Sequence, residues 1–285
     1  MNTAIKKYPI LQNNGFLALP HQMISDEYIL QRFKHKKVLS TDKNSNSKIA
    51  KSNKLGEYRT AYVSLLPGSK SGHNVCPNHK DCIDSCIGIH SGHNTFDNAI
   101  LAKYYRTLYF SYYPEKFIAQ LIREIHNFEK TCNRDGLKPA IRLNAYSDIP
   151  YEHKNPEIFE EFPGIQFYDY TKVLSRCNHP QLPSNYDLTY SLVSARHDFE
   201  DIFKIAQGMD VRCSAVLTRP FFDDLFKAQN SSIRIFNQNF GGFDLISGDN
   251  HDLTFIHDKG VVLGLRAKYK SKLDLSRLAY ESFVS

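Results

Sequence analysis

Four times between residues 140 and 219, a run of strand length ends at once in polar residues. Ala140-Ile141-Arg142-Leu143 opens into Asn144-Ala145-Tyr146-Ser147-Asp148. Gly164-Ile165-Gln166-Phe167-Tyr168 opens into Asp169-Tyr170-Thr171-Lys172. The runs 186–192 and 213–217 do the same into Val193-Ser194-Ala195-Arg196 and Thr218-Arg219. Helical stretches at 156–161, 199–207 and 221–228 separate several of them. Strand, polar exit and helix in repetition belong to an α/β sheet with parallel strands. About seven strand candidates suit a full or partial (β/α) barrel, with the polar exits on one rim where barrel sites form. An open α/β sheet is the alternative. There is no glycine-rich dinucleotide fingerprint and no Walker-type loop.

Upstream, residues 60–66 read as the first core strand, stopped by Pro67-Gly68. Apolar residues at helical spacing predict helices over 96–109 and 114–131, the second with Pro114 in its first turn and Gly136 just past its end. His126 on that helix reads as a surface or core residue. Ser25 or Asp26 is a fit cap for a short helix to Phe33. The Lys/Asn/Ser-rich stretch 40–54 reads as a mobile loop. These features divide the chain into an N-terminal extension, 1–55, and one α/β domain, 56–285. Near the C-terminus, Asp258-Lys259-Gly260 reads as a tight turn between two strands. Asp249 and Asp252 read either as rim carboxylates, acting as acids, bases or ribose ligands, or as ordinary turn residues.

Three of the six cysteines fall within Cys76-Pro77-Asn78-His79-Lys80-Asp81-Cys82-Ile83-Asp84-Ser85-Cys86, just after that first strand. On a helix, Cys82 and Cys86 share a face. With Cys76 on the preceding loop, the three thiolates can meet at one metal. Such soft ligands favour zinc, copper(I) or an iron–sulfur cluster. A fourth ligand from His73, His79, His90 or His93 makes a Cys3His zinc site. Without one, a four-iron cluster keeps one iron open. Ser-Gly-His-Asn occurs on both sides of the cysteines, at 71–74 and 91–94.

The 285 residues include 41% hydrophobic ones, enough for a sizeable core. No apolar run reaches the ~18–20 residues that cross a bilayer. The N-terminus lacks the apolar stretch of a secretory signal. The expected location is therefore the cytoplasm, where clustered cysteines indicate metal or redox chemistry rather than disulfides. A net charge of +6 permits nucleic acid as a partner through a basic surface.

The cysteine cluster resembles that of a phage family known as gene product 88. The other residues that carry the resemblance are Arg142-Leu143-Asn144 with Ser147-Asp148-Ile149-Pro150 and Glu152, 167–172, Leu188-Thr189-Tyr190-Ser191, and Ser247-Gly248-Asp249 on to Lys268. The resemblance spans about residues 56–270 and implies a phage or prophage protein in the infected bacterial host. It carries no established activity. More loosely, three cysteines after the first strand are similar to the loop of radical S-adenosylmethionine proteins. The gaps here are five and three residues, against three and two in the common motif. That likeness implies a 4Fe-4S cluster on Cys76, Cys82 and Cys86 that binds and reductively cleaves S-adenosylmethionine. Asn144, Ser147, Asp148, Asp169, Lys172 and Asp249 would hold cofactor or substrate, with Ser147, Asp148 and Glu152 nearest to a methionine-amine role. The other reading is a non-catalytic phage accessory protein, folded by zinc and binding nucleic acid or a host protein.

Overall fold

The computed structural model describes residues 25–41, 51–53, 55–79, 82–83, 86–90, 94, 96–192, 201, 205, 210–227, 233–237 and 241–268. The stretch 42–50 and most of the expected helix 199–207 lie outside them.

One nine-stranded sheet organises the chain, in the order β1-β2-β3-β4-β5-β6-β9-β8-β7. Strands β2 (Tyr58–Val63), β3 (Lys138–Arg142), β4 (Gln166–Thr171), β5 (Tyr186–Ser191) and β6 (Cys213–Leu217) are consecutive parallel neighbours. Among the described residues, the chain also forms helices α1 (Asp26–His35), α2 (Ile87–His90), α3 (Asp97–Tyr112), α4 (Pro114–Arg134), α5 (Tyr151–Lys154), α6 (Glu157–Glu161), α7 (Leu174–Cys177) and α8 (Arg219–Lys227).

The sheet is open, which corrects the barrel expectation. A barrel needs its first and last strands to pair. Here β1 (Leu39–Ser40) runs antiparallel to β2 at one edge, and β7 (Ile233–Asn237) runs antiparallel to β8 (Gly241–Ser247) at the other. Strand β9 (Val261–Arg266) slots between β6 and β8, parallel to both, and extends the sheet instead of closing it.

Alternation assigns the faces. Ala61, Val63, Ile141, Leu143, Phe167, Leu188 and Tyr190 join the main core with the helices. Helix α4 buries Phe117, Ile118, Leu121, Ile125, Phe128 and Cys132 along one side. It ends in a Schellman turn, with Leu137 N–H on the Cys132 carbonyl at 2.9 Å, Gly136 N–H on that of Asn133 at 3.2 Å, and Gly136 at φ 68°. Ser25 caps α1, accepting from Tyr28 N–H at 3.1 Å. Helix α1 and strand β1 pack Ile29, Phe33 and Leu39 into the same core.

The opposite face carries Tyr58, Ala140, Arg142, Tyr168 and Tyr170. Leu253 and Phe255, on the segment leading to β9, cover its lower part. Residues 51–53, expected in a mobile loop, latch that segment: Lys51 Nζ donates to the Asp249 carbonyl at 3.0 Å, and the Asp252 N–H to Ser52 Oγ at 2.9 Å. The expected pair of strands around Asp258-Lys259-Gly260 is also corrected. The turn exists, with Gly260 at φ 76°, but a 3-10 turn, Thr254–Ile256, precedes it. The Arg142–Asp252 ion pair and the Phe255 ring draw that stretch onto the sheet face rather than into a ladder. Among the described residues, no helix is long and apolar enough to cross a membrane.

Candidate functional site

The cysteine loop sits at the carboxyl ends of β2 and β3, the side where open α/β sheets place their ligands. The chain after β3 forms its shelf. Ala145 N–H donates to the Val63 carbonyl at 3.1 Å, and Asp148 N–H to that of Val75 at 2.8 Å. The Cys76 thiol donates to the Tyr146 carbonyl at 3.3 Å. Cys86 is fixed through the residues that follow it. Lys103, buried on α3, donates to the Gly88 carbonyl and to Asn94 Oδ1 (3.0 Å), with its ammonium 5.2 Å from the centre of the Tyr146 ring. Asn94 Nδ2 donates to the Ile87 carbonyl and to the Tyr146 hydroxyl, each at 3.0 Å. Gly88 lies so close to Tyr146 that an added Cβ would come within 2.7 Å of the ring.

The three thiols are close enough to influence one another: Cys76 feels Cys86 and Cys82, and Cys86 feels Cys82. Burial pushes Cys76 up to about 12 and Cys86 up to about 11, so both are neutral thiols at pH 7. The ammonium groups of Lys103 and Lys172 both act on Cys86 in the opposite direction. The donor types suit a soft metal, and the two lysines suit the negative charge of a thiolate centre. The sulfurs do not form a closed shell. Among the described residues, no group of three or more His, Cys, Asp or Glu stands close enough to hold a metal ion. Of the four candidate histidines, His79 lies inside the loop, with its N–H on the Cys76 carbonyl at 3.2 Å and its carbonyl accepting from Cys82 N–H at 3.0 Å. The His73 ring packs against Tyr112 at 4.8 Å. His93 and the side chain of His90 lie outside what is described.

Beneath the loop, five of the expected site residues meet, and they are spent on one another. The β3–β4 ladder ends at Ile141↔Phe167. The Asp169 carboxylate fills the opening above it, accepting from Asn144 N–H at 2.8 Å, Leu143 N–H at 3.2 Å and the Tyr186 hydroxyl at 3.0 Å. Asn144 Oδ1 accepts from Ser147 Oγ at 2.8 Å and from Ile149 N–H at 2.9 Å, which locks the turn. Arg176 then gathers Asp148 and Glu152, with 2.6 Å and 2.9 Å to the two oxygens of Glu152. Lys172 stands at the edge, its ammonium on Ser191 Oγ at 2.8 Å. Asp252 and Asp249 lie elsewhere, paired with Arg142 at 2.7 Å and Lys268 at 2.6 Å.

The residues 36–281 match the family model described as Gene product 88. The chain belongs to this phage family. No curated protein and no solved structure matches it. In this gene product 88 protein, sequence reasoning missed Arg176, Tyr186 and Lys103. Lys103 had a readable signal: it interrupts the apolar face of α3, in line with Ile100 and Thr107. Arg176 and Tyr186 had none, since their roles depend on where α7 and β5 dock.

Burial raises Asp169 from 3.8 to about 7, against the opposing pull of Arg142 and its hydrogen-bond donors. The folded chain therefore holds this proton more tightly than the unfolded one. The stability so gained is full below pH ~4 and is lost as pH rises through 7. Urea midpoints measured from pH 5 to pH 8 should fall more steeply in the wild type than in Asp169→Asn, which cannot titrate. Equal slopes would rule out this contribution.

Proposed function

We propose that this gene product 88 protein is a metal protein holding an iron–sulfur cluster on Cys76, Cys82 and Cys86. We further propose that it acts on a small molecule as an enzyme of the radical S-adenosylmethionine type. The observation that carries the reading is a set of three thiols near enough to influence one another at the carboxyl rim of parallel strands, although among the described residues they do not converge to metal-binding distance. The family match supports a phage protein; the chemistry is inferred from the thiols. When bound, such a cluster supplies one-electron reduction of S-adenosylmethionine. The chain's own residues have distinct tasks. The loop 143–152 carries Cys76, Gly88 and Tyr146 seat the turn after Cys86, and Lys103 and Lys172 offset thiolate charge. Asp148, Glu152 and Asp169 keep that shelf rigid from below.

One contact favours a second reading. His79 shares the Cys76–Cys82 turn, which suits a structural Cys3His zinc site whose binding energy is folding energy. Metal and acid-labile sulfide analysis of protein purified without oxygen separates the two. The expected result is about four irons and four sulfides per chain, lost in Cys82→Ala. About one zinc without sulfide would replace the enzyme reading with the structural one. Protein with neither, from cells supplied with both metals, would overturn both.

A further inference from the structure

We propose that Lys172, Ser191 and Ser214 form a binding site for the carboxylate or phosphate group of a small molecule. The three residues come from neighbouring parallel strands or their ends. The registers Thr171↔Tyr190 and Ser191↔Ser214 set Lys172, Ser191 and Ser214 in one row on the sheet face away from the helices. Partners opposite each other on one face stand close enough to share a ligand group. The row lies at the carboxyl ends of β4, β5 and the adjoining start of β6, and Lys172 acts electrostatically on Cys86.

Two features point to an oxyanion. First, the row presents donors in its two hydroxyls. The three N–H groups of Lys172 Nζ already go to Ser191 Oγ and the Ser191 carbonyl, both at 2.8 Å, and to that of Leu192 at 3.3 Å, so Lys172 brings charge to the row and holds Ser191 in place. Ser191 Oγ accepts that bond and keeps its own proton to give. The Ser214 hydroxyl is 1% exposed and has no hydrogen-bond partner among the described residues. A buried hydroxyl in that state is destabilising, and a bound oxygen atom removes the penalty. Second, the row carries a positive charge of its own, the Lys172 ammonium, which favours an anion beside it.

This inference deepens the proposed function by naming what the small molecule beside the cysteines carries, but its test needs no metal. Full-length protein treated with a chelator is titrated with inorganic phosphate and, separately, with acetate at constant ionic strength, against a chloride control. The readout is the melting temperature. One of the two anions should give a saturable rise, and which one does so identifies the ligand group. Lys172→Met should abolish the rise. Ser214→Ala should weaken binding about tenfold, the effect of one charge-assisted hydrogen bond, while leaving the ligand-free protein at least as stable as the wild type. No rise beyond chloride, or a rise that survives both substitutions, would overturn the proposal. An empty metal analysis would leave this result standing.

Discussion

Arg176→Met is expected to destabilise the protein by about 3–5 kcal/mol, the range for removing one partner of a buried ion pair. Arg176 answers two carboxylates at once, and its side chain and those of Asp148 and Glu152 are all under 10% exposed. It also donates to Thr171 Oγ1 at 3.0 Å. Methionine fills much of the volume but supplies no donor, so two buried carboxylates are left to protonate or to draw in water. Urea unfolding at pH 7 measures the loss. Adding Asp148→Asn and Glu152→Gln to Arg176→Met should recover most of the stability. A loss under about 1 kcal/mol in the single variant, a value typical of exposed pairs, would mean the network is solvated. Because Asp148 N–H also holds the Val75 carbonyl, the variant should loosen the shelf under Cys76 as well.

Arg142→Met is expected to cost a similar amount, about 3–5 kcal/mol, on the other side of the sheet. Its Nη1 meets Asp252 Oδ2 at 2.7 Å, with both side chains buried, and its guanidinium lies 5.0 Å from the centre of the Tyr170 ring. The consequence here is local. Asp252 anchors the segment carrying Leu253 and Phe255, which covers that face. Hydrogen exchange of residues 250–257 should speed up more than that of α4, which packs on the opposite face. Arg142→Met combined with Asp252→Asn should regain stability relative to the single variant, since the Asp252 carboxylate is then no longer stranded. Exchange raised equally in both regions would show that the pair supports the whole fold rather than this segment.

The helices were legible where one stripe of residues decides them. Helix α4 announces itself by Phe117, Leu121, Ile125 and Phe128, by Pro114 at its start and by Gly136 after its end. The parallel strands were legible because each is a short apolar run with a polar exit. The polar exits misled in one respect. Asn144, Ser147, Asp148, Glu152 and Asp169 do gather at one rim, yet each is consumed in holding the chain after β3. A carboxylate that binds a ligand and one that binds Arg176 look the same in sequence.

The amino-acid sequence by itself determined the α/β class, the run of parallel strands from β2 to β6, and a cluster of three thiols after the first of them. These follow from hydrophobic periods and local spacing, which act within a few residues. Only the tertiary structure decided that the sheet stays open, with β9 inserted between β6 and β8, and that Asp252 serves Arg142 from 110 residues away. Strand insertion and ion pairing depend on elements distant in sequence. Burial obliges each polar group to find a partner, but local sequence does not name that partner.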